Sequence, residues 1–179
     1  VFRSNFGESI GEVNEALATT KTNTGLMGDE LQKATEAGFL LRDTFGFEFQ
    51  ESSRTARTLM KNFGVSAEEA YNLIAHGAQN GANQNGDMLD VIAEYGPMFA
   101  QMGMSADQMI SGLINGNEAG VFSIDKVGDA MKEFSIRCVD GSETTKEAMQ
   151  TIGLDADAMA QQFAMGGENA RHAFQTTVE

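Results

Sequence analysis

The sequence predicts an all-α fold of stacked helical hairpins, and three observations carry that prediction. Apolar residues recur at steps of three and four along the whole chain, while the alternating β-branched runs of a strand are absent. Twenty glycines and one proline punctuate that pattern and cut it into short helices. Finally, residues 64–138 read as one helical hairpin written twice at an offset of 39 residues. Gly64-Val65-Ser66-Ala67-Glu68 slides without gaps onto Gly103-Met104-Ser105-Ala106-Asp107, and Gly81, Asp90, Glu94 and Tyr95 land on Gly120, Asp129, Glu133 and Phe134. Met88, Ile92, Tyr95 and Phe99 fall on Val127, Met131, Phe134 and Cys138, each set stepping four, three and four along one helical face. A hairpin of this kind cannot bury its own stripe, so neighbouring units should stack.

Each element follows in order. Phe6, Ile10, Val13 and Leu17 predict a narrow amphipathic helix over residues 4–20, and residues 21–25 read as a polar break. A second helix begins near Asp29 and carries Leu31, Ala34, Gly38, Leu41 and Phe45, with Phe39 and Leu40 widening its stripe and Gly46 at its end. The third runs over residues 47–63 through Phe49, Ser53, Ala56, Leu59, Met60 and Phe63 to the terminator Gly64. Ser66 with Glu69 forms a capping box worth about 1 kcal/mol. The helix it starts leads to a polar loop over residues 80–86, after which Asp87 caps the return helix. Gly96-Pro97 should kink or break that helix, because proline brings no amide and clashes with the preceding turn. In the second unit Ser105 with Gln108 caps the first helix, Gly116 and Gly120 frame the loop, and Ser123 caps a helix ending near Cys138. Asp140-Gly141 makes a turn and Thr144 with Glu147 offers another box. Residues 152–157 repeat the start signal a third time, and after Gly166-Gly167 a last helix carries Ala170, Ala173, Phe174 and Val178. The resulting division is 1–64, three leading helices; 65–141, the duplicated hairpins; and 142–179, a partial third unit with a closing helix. The chain opens and closes in helix, as one compact domain of a longer protein would.

Composition narrows the function. Twelve basic against 26 acidic residues give a net charge of −14, spread along the chain, which repels phosphate and argues against direct nucleic-acid binding. The apolar runs are far too short to span a membrane, and no basic-then-apolar leader opens the chain. A single cysteine excludes an internal disulfide and any Cys-based metal cluster.

No candidate site carries the marks of catalysis, a metal or a cofactor. His76 and His172 lie far apart, without a His-Glu-x-x-His spacing. Cys138 occupies the apolar register that Phe99 fills in the other unit and reads as a small buried hydrophobe. The oxygen-rich loop 83–87 fails as an EF-hand, because with Gly86 in the sixth place Gly81 and Ile92 would be the first and twelfth ligands. Arg54, Arg57 and Lys61 line one helical face as a basic stripe on an acidic protein and form a candidate docking surface, although Glu51 and the helix dipole also account for them. Met98, Met102, Met104 and Met109 gather at one helix junction, where they either fill core or, if exposed, make an adaptable partner surface.

Several stretches are familiar as wording. Residues 51–63 (Glu-Ser-Ser-Arg-Thr-Ala-Arg-Thr-Leu-Met-Lys-Asn-Phe), 69–75, Gly86-Asp-Met-Leu-Asp90, Glu94-Tyr95, residues 125–134 and Asp140-Gly-Ser142 together resemble the tail tape measure proteins of long-tailed bacteriophages and prophages, over residues 39–174. The resemblance implies a long, mostly helical virion protein inside the tail tube that organises assembly, sets tail length and leaves before or with the DNA. It also implies tail partners: tube protein, baseplate and distal tail proteins, assembly chaperones and other copies of itself, first in the host cytoplasm and then in the tail lumen. Some members carry cell-wall-cleaving domains, but no residue here maps onto one. The glycine content departs from an uninterrupted ruler helix. A helical-repeat adaptor that binds a peptide or partner helix is the alternative reading, and a cell-wall hydrolase domain, which needs two carboxylates across a cleft, is the weaker one.

Overall fold

The computed structural model describes residues 6–178, and among them ten helices and no strand. They are α1 (Ile10–Thr24), α2 (Gly28–Phe45), α3 (Phe49–Phe63), α4 (Ala67–Gln79), α5 (Met88–Gln101), α6 (Ala106–Glu118), α7 (Asp125–Arg137), α8 (Glu143–Thr151), α9 (Ala156–Met165) and α10 (Gly167–Val178). Packing alternates. The odd-numbered helices lie side by side in one layer, α1 on α3, α3 on α5 and α5 on α7, while α2, α4 and α6 form a second layer. The main core fills the space between the layers from Leu41 and Leu59 through Ile74, Met88, Ile92 and Phe99 to Ile110 and Leu113. Two smaller clusters flank it: Val13, Ala16 and Phe39 under α1, and Met102, Cys138, Met149, Met159 and Phe163 under α8–α10.

The helix starts keep a regular spacing that reaches further back than the sequence reading placed it. α2, α4 and α6 begin at Gly28, Ala67 and Ala106, steps of 39 residues, and α3 and α5 begin 39 residues apart at Phe49 and Met88. Gly25, Gly64 and Gly103 precede them in left-handed conformations with φ of 73°, 71° and 74°. These values explain the glycines, since a Cβ there would clash with its own backbone. α7 starts at Asp125, two residues ahead of that register.

Several local expectations are corrected. α1 starts later than periodicity indicated, capped by Ser9, whose Oγ accepts from Glu12 N–H; Ser4 lies outside the described residues. Residues 21–24, expected as a break, form its last turn, because Thr20 and Thr24 hydroxyls bond back to the carbonyls of Ala16 and Thr20 and hold the helix to Gly25. Ile10, Leu40 and Val178, read as stripe residues, are exposed. Ser105 and Gln108 close both halves of their capping box, whereas at Ser66 only the hydroxyl bond to Glu69 N–H forms. Asp87 makes no cap. Asn83 Oδ1 takes the Met88 N–H instead, at 3.2 Å, and Asp87 Oδ2 accepts from the Ser123 hydroxyl at 2.7 Å.

α5 runs unbroken through Gly96-Pro97, since packing of its buried face on α3 outweighs one lost backbone bond. Gly116 is not a loop residue. It lies inside α6, where Val127 Cγ2 would sit 2.4 Å from a Cβ. Ser123 satisfies the Asp125 N–H at the start of α7, and Ser142 caps α8 in place of the Thr144 and Glu147 box. The stripe of Met88, Ile92, Tyr95 and Phe99 is fully buried, whereas of Val127, Met131, Phe134 and Cys138 only Cys138 is. α7 ends the odd-numbered layer, and its stripe is only partly covered, by α5 and α6 and by Phe163 and Phe174 beyond it.

Candidate docking face

α3 is central in the odd layer, and its inner face is made of small residues. Ser52, Ser53, Thr55 and Ala56 are buried and let α1 and α5 approach closely. Two side-chain bonds fasten the neighbours: Asn23 Nδ2 donates to Ser53 Oγ at 3.0 Å, and Thr55 Oγ1 donates to the Leu89 carbonyl at 3.3 Å. The opposite face of α3 therefore emerges between α1 and α5 and carries Arg54, Arg57 and Lys61, all exposed. Shallow hollows flank the stripe. One is floored by Thr22, Asn23 and Gly25 beside Arg57 and Lys61, the other by Thr58, Ala93 and Pro97 beside all three cations. Pro97 brings no N–H to the Ala93 carbonyl one turn back.

None of the three cations makes an ion pair among the described residues, and the anticipated Glu51 partner does not reach Arg54. The other described arginines are each engaged. Arg42 pairs with Glu12 and Asp43 and lies over the Phe39 ring, 4.7 Å from its centroid, while Arg137 pairs with Asp140 and Arg171 with Glu168. On a chain of net charge −14, α3 thus presents unpaired fork and point donors at helical spacing, the complement of carboxylates on a facing helix.

The methionine candidates separate. Met102 is buried in the cluster under α8–α10 and offers no surface; Met104 is half-buried between that cluster and the main core, and Met98 is half-buried on α5. His76 and His172 are exposed at separate places. No group of three His, Cys, Asp or Glu side chains among the described residues is arranged to hold a metal ion. Cys138 is buried, and desolvation, reinforced by the Asp140 charge, pushes its thiol up to about 12.

A polar clamp between the hairpins escaped sequence reasoning. The Tyr95 hydroxyl donates to Asp129 Oδ1 at 2.8 Å and to Asp125 Oδ1 at 3.1 Å, and Lys126 Nζ lies 3.1 Å from Asp129 Oδ2. Burial of the hydroxyl raises the Tyr95 pKa, and the two carboxylates raise it further. Asp129 is held below its ordinary range, first by the Tyr95 hydrogen bond and then by Lys126. At the loop end Asn85 Nδ2 donates to the Phe122 carbonyl at 3.1 Å. The partners of Tyr95 and Asn85 lie 30 to 37 residues away, and nothing in their local sequence marks them as pairs.

The fold is two layers of packed helices with a flanking arm, and α3 presents a face of cations unpaired among the described residues. The chain belongs to the phage-related minor tail protein family, whose pattern matches residues 4–178. It is 29% identical over 152 residues to a probable tape measure protein of Streptomyces phage phiC31, an alignment covering 85% of this chain and 20% of that relative. The chain therefore spans about a fifth of the relative's length. No solved structure matches it. No described helix is long and apolar enough to cross a membrane.

Proposed function

We propose that the chain is a folded structural module of a tail tape measure protein, taking part in tail assembly, length determination and genome ejection through protein–protein packing. Membership of the tail protein family along nearly its whole length is the observation that carries this reading. The tail lumen is its place in the virion and the host cytoplasm its place during assembly. Tube, baseplate and distal tail proteins, assembly chaperones and other copies are its partners, and the α3 face with Arg54, Arg57 and Lys61 is where an acidic helix of a tail partner docks. The alternating layers support a module that organises assembly over a stretch of ruler, since consecutive helices fold back instead of extending.

Deleting residues 103–141 in frame and imaging the tails by electron microscopy tests this. That deletion removes α6 and α7 and strips the seat from α8–α10, so failed or scarce tails are expected. A ruler helix would instead lose 39 residues of rise, about 60 Å. Abundant infectious particles with tails uniformly shortened by that amount would overturn the module reading.

A further inference from the structure

The helices beyond α7 stand apart from the two-layer stack. α9 packs extensively on α10 and α8 on α9, so the three form one arm. The arm meets the body through a second cluster, joined to the main core through Met104 and Met131, in which Met149, Met159 and Phe163 close over Met102, Met104, Met131, Phe134 and Cys138. Phe134 stands edge-on to Phe163 and Phe174, with ring centroids 5.6 and 5.4 Å away. Backbone also meets backbone: a Cβ on Gly103 would lie 2.1 Å from the Gly167 carbonyl oxygen and 2.8 Å from the Arg171 N. Gly64, which precedes α4 as Gly103 precedes α6, has nothing within 4 Å. The contact at Gly103 is therefore a property of the arm's seat and not of the turn. Between α7 and the arm lie residues 139–141, an exposed link in which Gly141 has φ 67°.

We propose that the seat on α5–α7 is an exchange site, which accepts α8–α10 of a second copy of this chain in place of its own. The occupant follows from complementarity. A lifted arm leaves its own Met149, Met159, Phe163, Ala170 and Ala173 uncovered, and the seat on a second copy matches them as the first does. Reciprocal exchange closes a two-fold dimer that keeps every seat contact and changes only the link. The proposal stands on the arm, the seat and the link, and not on the tail assignment; an exchanging dimer is compatible with failure of the tail deletion experiment, and the converse also holds.

Two measurements on the full chain test it. Cys138, the one cysteine, lies in the seat and reports its opening through reaction with an aromatic disulfide reagent. In native buffer it should react faster than global unfolding allows, and Gly103→Ala should accelerate labelling about tenfold over Gly64→Ala, which bears the same backbone strain without the clash. Labelling limited to the global unfolding rate, or equal in the two variants, would overturn the proposal. In the second, residues 139–141 are deleted so that the arm cannot reach its own seat. A dimer by light scattering with Cys138 still protected is expected. A folded monomer with Cys138 reactive would show that the seat does not take a second copy's arm.

Discussion

Gly112 and Gly128 both sit inside helices, yet the structure gives them opposite roles. A Cβ at Gly112 of α6 meets nothing within 4 Å, whereas at Gly128 of α7 it would lie 2.2 Å from Cδ2 of the Tyr95 ring. Gly112→Ala should therefore raise stability by about 0.5–1 kcal/mol through lost unfolded-state entropy. Gly128→Ala should lower it by about 1–3 kcal/mol, because Tyr95 must move to admit the methyl. Chemical denaturation of the pair checks both signs. Tyr95 also sets a pH dependence. Asp129 has a folded pKa below its ordinary value, so its contribution is present above the unfolded carboxylate pKa of about 4 and is lost as pH falls through the folded value. Tyr95→Phe removes the largest cause of that shift and should flatten the acid limb of the stability profile. At the alkaline end Tyr71 matters: burial raises it to about 12, partly offset by the Ser53 hydroxyl beside it, whose geometry falls short of a hydrogen bond. Unfolded tyrosine ionises near 10, so stability should decline as pH rises from about 10 to 12, and Tyr71→Phe should reduce that slope.

At the scale of elements, α3 and α7 offer the sharpest tests. Reversing Arg54, Arg57 and Lys61 to glutamate changes exposed, unpaired side chains, so the thermal midpoint should move little while tail assembly by the variant phage fails. Normal assembly would remove the docking role of that face. Phe134 is half-buried between Phe163 and Phe174, so Phe134→Ala should cost about 2–3 kcal/mol, less than the 3–5 of a fully enclosed aromatic. An unchanged denaturation midpoint would mean that the arm is not held there. Sequence made most of these elements legible, because caps such as Ser66 and Ser105 and left-handed glycines such as Gly64 act within a few residues of themselves. It misplaced Gly116 in the loop, and the new start it allowed at Gly96-Pro97 does not occur, since these conformations are decided by neighbours on α7 and α3. Of the docking face, the spacing of the stripe was readable; that its cations stay unpaired, and that Met102 is closed in core, depends on which helices come to lie beside them.

At the scale of the whole molecule, α1–α7 form a stack in which α3, α5, α6 and α7 each lean mainly on the helix two places before, while α8–α10 pack on one another. Such a plan leaves the hairpin ends outside the packing, and Phe122 at the α6–α7 turn is the most exposed large hydrophobic residue described, at 91%. Chymotrypsin should therefore cut first at Phe122, ahead of any aromatic within α4 or α5. Early cleavage at Tyr71 or Tyr95 would contradict the layered core.

The alternation of layers also has a mechanical meaning. Because contacts within α1–α7 join helices one or two places apart, tension applied across that stretch peels the stack one hairpin at a time. Each 39-residue step, drawn out at about 3.4 Å per residue, would pay out roughly 130 Å of thread. A protein built this way can be rigid while it stands and still pass through a narrow bore as a strand, and a single-molecule pulling trace should record that property as a low, evenly spaced sawtooth.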